Sequence, residues 1–134
     1  MDSGAFTLWR KAAEFGRKYH CSPYEFYHTK RFTRYLYAYA DFIKRYGDGI
    51  DLYANIDVIP DRSISGGTKE AVELSWRNLK KLESLGLTPM PVIHFRSDPD
   101  QEILKKHLRA GYEYIGLGGL VGSITKDGCR EWLD

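Results

Sequence analysis

Three groups of residues combine chemically useful side chains or backbone with positions at the ends of apolar runs. Asp57 lies near the end of the run 51–59, Asp-Leu-Tyr-Ala-Asn-Ile-Asp-Val-Ile, with Asn55 two positions earlier on the same side of an extended strand. His94 lies near the end of the run 90–95, and Gly118-Gly119 close the run that starts at Tyr114. Parallel strands put their carboxyl ends on one rim, and that rim is where α/β proteins build their sites. A carboxylate, an imidazole and peptide groups left open by glycine would there recognise a small planar or sugar-like ligand. Singly, each has a plainer reading: Asp57 as a loop-capping acid, His94 as a hydrogen-bonded core histidine, the glycines as a tight β-to-α turn.

Such a rim needs strands alternating with helices, and the spacing predicts them. The run 51–59 is stopped by Pro60, and a polar Ser/Gly segment 61–67 follows, with Thr68 as helix N-cap. Val72, Trp76, Leu79 and Leu82 then recur at helical spacing until Gly86, which suits a left-handed stop. After the run 90–95, Asp98 reads as an N-cap, Pro99 as the first helical residue, Gln101 as the capping-box partner and Gly111 as the stop, with Leu104 and Leu108 facing the sheet. The run 114–118 is the third strand, buried on both faces. Upstream, 32–46 reads as a helix, 8–17 as a short helix and the surroundings of Ser22-Pro23 as a loop. Strand, helix, strand, helix, strand implies parallel pairing with right-handed crossovers.

The chain has 134 residues and 43% hydrophobic content, which suits one globular domain. It carries no apolar stretch long enough for a bilayer and no signal-peptide pattern, so no membrane partner and a cytoplasmic location are expected. Cys21 and Cys129 stand apart, without CxxC or Cys/His spacing, and read as free thiols rather than a disulfide or zinc site. The net charge of +2 hides an asymmetry, with 9 Lys and Arg against 4 Asp and Glu in residues 1–46. The same segment holds Tyr19, Tyr24, Tyr27, Tyr35, Tyr37, Tyr39 and Tyr46. Cations for phosphates and aromatic faces for bases would make a nucleic-acid surface, whereas a helix that packs its tyrosines inward and snorkels its basic residues explains the same pattern.

The amino terminus adds a motif. Asp2-Ser3-Gly4-Ala5-Phe6 resembles the DSGGFQ motif of the tRNA-guanine transglycosylase family, including the phage and bacterial branch that inserts deazaguanines into DNA. Ala54-Asn55-Ile56-Asp57 is similar to that family's base-recognising strand, Pro91-Val92-Ile93-His94 falls where the family carries a strand ending in Gln, and Gly118-Gly119-Leu120-Val121-Gly122 resembles its GGLAVG loop. The landmarks keep the family's order from Asp2 to Gly122, with an aromatic, basic insertion at about 8–31. The resemblance implies a single partial TIM (β/α) barrel domain over 1–134 that exchanges a purine or 7-deazaguanine base on tRNA or DNA. Asp2 would be the general acid/base, Ser3 and Phe6 would lie on the base, and Asp57 would accept its N–H groups. The Gly118-Gly119-Leu120 backbone would read its carbonyl and exocyclic amine.

Two departures qualify that expectation. His94 stands where the family has Gln, so the position carries a group whose tautomer and charge vary with pH. The family's nucleophilic Asp and its Cys/His zinc site would lie downstream of the glycine loop, so no cofactor is expected within this chain, and Asp127 has no matching context. The expectation is therefore a fragment or divergent form lacking full exchange activity, which covers its open sheet edges by self-association or with a complementary barrel fragment. Two other classes stay open: a metal-dependent TIM-barrel hydrolase using Asp2, Asp57 and His94, and a non-catalytic nucleic-acid-binding module.

Overall fold

The computed structural model describes residues 3–50, 52–94 and 101–118. Helices dominate it. Helix α1 (Ala5–Tyr19) buries Ala5, Leu8, Ala12 and Gly16, a stripe at three- and four-residue spacing. At Ser22-Pro23 a 3-10 helix (Pro23–His28) forms instead of an open loop, because the Ser22 side chain accepts the Tyr24 N–H and Pro23 presets the first turn. Thr29 then caps α2 (Lys30–Tyr46) through the Phe32 N–H, and α2 buries Phe32, Leu36, Tyr39, Ala40 and Ile43. A short 3-10 turn (Gly47–Gly49) follows.

Helix α3 (Gly67–Ser84) starts one residue before the expected cap, with Gly66 left-handed at φ 69° as its N-cap. Gly67 must be glycine, since a Cβ there would lie 2.6 Å from the Asp61 carbonyl oxygen. Helix α4 (Glu102–Arg109) is entered through Gln101; Asp98 and Pro99 lie outside the described residues. Its inward group is His107, whereas Leu108 is 56% exposed, so the expected Leu104/Leu108 face is turned toward Ile103, Leu104 and His107.

Strand β1 (Val92–His94) pairs in parallel with β2 (Gly116–Gly118), placing His94 opposite Gly118. Among the described residues, the run 51–59 forms no ladder with β1, and a single parallel bridge joins Ala54 to Met90, ahead of that strand. The described residues are thus mostly helical with two short parallel strands, and they do not form the expected partial TIM barrel. The cause is visible along 54–58, where the Asn55 N–H pairs with the Met90 carbonyl but three other backbone groups are taken by side chains. The Tyr39 hydroxyl donates to the Ala54 carbonyl at 2.6 Å, Asn78 Nδ2 donates to the Ile56 carbonyl at 2.9 Å, and Ser75 Oγ accepts the Val58 N–H at 2.8 Å. Groups so satisfied have no need of a neighbouring strand. The third run is not buried on both faces either, since Tyr114 and Leu117 are exposed.

The core is aromatic and lies between the helices. Leu8, Tyr24, Phe26, Tyr27, Phe32, Leu36, Ile56, Val58 and Leu82 belong to one buried cluster, so the segment 8–31 supplies part of the core. Of the amino-terminal tyrosines, Tyr24, Tyr27 and Tyr39 are buried, while Tyr19, Tyr37 and Tyr46 keep exposed faces. No helix of the described residues is long and apolar enough to cross a membrane.

Candidate functional site at Asp57, His94 and Gly118

Three of the residues singled out by position meet in space. Asp57 Oδ2 lies 2.5 Å from His94 Nε2, and both side chains are shielded from water, at 7% and 15% exposure. An ionised carboxylate only accepts, so in that state the Nε2–H of His94 donates. The imidazole also packs on Gly118: a Cβ added there would lie 3.1 Å from His94 Cε1, 3.2 Å from Nδ1 and 3.2 Å from Val92 Cγ1. Glycine at 118 therefore lets the ring lie against β2 while it holds the carboxylate.

Asp57 is positioned from behind by α3. Arg77 and Asn78, consecutive on that helix, hold two backbone carbonyls: Arg77 Nη2 donates to Tyr27 at 2.7 Å and Asn78 Nδ2 to Ile56 at 2.9 Å. The Asp61 N–H donates to the Tyr24 hydroxyl at 2.7 Å. The 3-10 helix is thus tied to Asp61 through Tyr24 and to α3 through Tyr27. Burial pushes the Tyr27 phenol well above its ordinary range, and the charges of Asp57 and then Tyr24 push it the same way. Burial raises Tyr24 as well, against the Asp61 N–H bond that lowers it.

Ser3 lies close to this segment. Tyr35 and Tyr39, one turn apart on α2, donate to the Ser3 carbonyl at 2.5 Å and the Ala54 carbonyl at 2.6 Å. Ser3 is buried and its hydroxyl has no hydrogen-bond partner among the described residues. Phe6 is exposed and stacks on Trp9 at 5.9 Å between centroids. Asn55 is turned to α3, where its Nδ2 donates to the Ser75 carbonyl at 2.9 Å. Asp2, Gly119 and Leu120, and with them Asp127 and Cys129, lie outside the described residues. Cys21 is a free, exposed thiol.

A cavity of about 50 Å³ between α3, α4 and β1 is lined by Asn55, Ser75, Trp76, Ile93, His94 and His107, among others. Ligand pockets run from roughly 300 Å³ upward, so this void suits a water beside Asn55 Oδ1 and not a base. Among the described residues no group of three His, Cys, Asp or Glu side chains is arranged to hold a metal ion.

Comparison with known protein families, curated proteins and solved structures finds no match to this chain.

Proposed function

We propose that this chain recognises a purine or 7-deazapurine base through Asp57, as the base-reading part of a transglycosylase-type site acting on tRNA or DNA in the cytoplasm. The observation that supports the reading is the contact of Asp57, His94 and Gly118. They are three of the landmarks that the resemblance assigns to the base. His94 engages Oδ2, while Oδ1 of Asp57 has no hydrogen bond among the described residues. A shielded carboxylate oxygen is a strong acceptor for the paired N–H groups of a guanine-type edge. His94 takes the place of Gln as the orienting group, and Asp2 remains the proposed general acid/base. The basic front, with Tyr19, Tyr37 and Tyr46 exposed, would meet the polynucleotide.

Calorimetric titration of the full chain with guanine and with 7-deazaguanine tests the reading. Saturable binding is expected for the chain and none for Asp57→Ala, while salt-sensitive binding of tRNA or DNA survives the substitution. Nucleic-acid binding with no base binding would replace the proposal with a simple nucleic-acid module.

A further inference from the structure

A groove of about 250 Å³ lies between α2 and α3, and its lining includes neither Asp57 nor His94. Thr33 and Tyr37, one turn apart, line it from α2, and Arg77 and Lys81, one turn apart, line it from α3. His28 joins them from the end of the 3-10 helix, and the buried Phe32 and Leu36 add apolar surface. Two cations one turn apart on a helix repel each other, which an anion between them would relieve. Among the described residues no carboxylate lines the groove or lies within 4 Å of Arg77 or Lys81. Arg77 also keeps donors to spare. His28 Nδ1 takes one N–H of Nη1 at 3.1 Å, while Nη2 serves the Tyr27 carbonyl at 2.7 Å and Asn78 Oδ1 at 3.5 Å. The Nε–H and the other Nη1–H have no partner among the described residues. Because a guanidinium only donates, His28 Nδ1 accepts, and the neutral ring carries its hydrogen on Nε2, which is unpartnered among the same residues. Lys81 Nζ stands 5.4 Å from the ring centroid of Tyr37, a residue that is 41% exposed.

We propose that this groove holds one nucleotide of a polynucleotide, with a backbone phosphate between Arg77, Lys81 and His28 and the adjoining unpaired base on the face of Tyr37. The inference rests on the polynucleotide half of the reading above and deepens it; base recognition at Asp57 is not needed for it. The planar fork of Arg suits two phosphate oxygens, and the ammonium of Lys, on a flexible stem, adds a point charge. A base inside a duplex has both faces covered, so an aromatic face beside the phosphate selects single-stranded segments. The volume approaches the roughly 300 Å³ at which small-molecule pockets begin, and a groove open to solvent has to enclose only part of the nucleotide.

Fluorescence anisotropy of a labelled single-stranded oligothymidylate, titrated with the full chain, tests this. Arg77 is left in place because it ties the 3-10 helix to α3. Lys81→Gln is expected to weaken binding roughly tenfold and to lower the slope of log affinity against log salt by about 0.7, the loss of one phosphate contact. Tyr37→Leu is expected to weaken binding by a similar factor through lost stacking. Lys69→Gln, which removes the same charge from an exposed position in the first turn of α3, should cost clearly less. All three side chains are exposed, so the variants should unfold at the urea concentration of the parent; a binding loss that comes with earlier unfolding would make the role structural and overturn the proposal. If Lys81→Gln loses no more than Lys69→Gln, the groove is overturned while nucleic-acid binding stands. If thymidine monophosphate or the matching duplex binds as tightly as the single strand, an unpaired polynucleotide segment is overturned as the occupant. If the parent binds no nucleic acid, the groove and the polynucleotide half of the reading above fall together.

Discussion

At the residue scale, the pairing of Asp57 with His94 is what turns two strand-end residues into one unit. Each was identifiable from its place after an apolar run, because alternation and strand length fix where a strand stops. The contact between them was not, since it depends on β1 lying beside 54–57 and on Gly118 leaving room for the ring. Removing one member leaves the other shielded and unpaired. His94→Ala is expected to cost about 2 kcal/mol, as usual for a broken partly buried charged hydrogen bond, while Asp57→Asn added to it costs much less than it does alone. Urea denaturation of the two single variants and the double one measures this. Additive losses would mean that the contact contributes nothing to folding.

At the element scale, the helices were legible and the sheet was not. Stripes such as Phe32, Leu36, Tyr39 and Ile43 report which face is buried wherever the helix docks. The run 51–59 has the composition of a strand, but composition does not say what will satisfy its backbone. Tyr39, Ser75 and Asn78 do so here from α2 and α3, and 54–58 stays extended without a ladder. The 3-10 helix at Pro23–His28 was not legible for a related reason: its aromatic residues have no regular stripe, yet Tyr24, Phe26 and Tyr27 are all buried there. If helix side chains do hold the run, Ser75→Ala orphans the Val58 N–H, whose residue is 1% exposed. The expected loss is about 1–3 kcal/mol, with faster amide exchange at Val58. Unchanged exchange there would show that water or another group replaces Ser75.

At the scale of the whole molecule, the basic front and the phenol-rich interior are consequences of one segment that faces both ways. Residues 8–31 pack Leu8, Tyr24, Phe26 and Tyr27 inward while Lys18 and Arg31 lie against the faces of Tyr19 and Phe26. Folding therefore raises phenol pKa values: burial raises Tyr27, Tyr24 and Tyr112, the last also through Glu83 and against Lys80. Below the ordinary tyrosine value, about 10, folded and unfolded chains both keep these protons and the groups add no pH dependence. Above it the unfolded chain ionises first and binds fewer protons, so stability falls as pH rises, by up to about 1.4 kcal/mol per pH unit for each such phenol. Lys80, raised chiefly by its bond to the Tyr112 hydroxyl, acts in the same direction. Arg77, lowered by burial, acts in the opposite one, but only as pH approaches the guanidinium range above about 12. The urea midpoint should stay level toward pH 10 and drop beyond it, and Tyr27→Phe should flatten that drop because it removes the phenol shifted furthest. A midpoint level to about pH 11, or an identical fall in Tyr27→Phe, would mean that the Tyr27 phenol ionises in the folded chain as readily as in water.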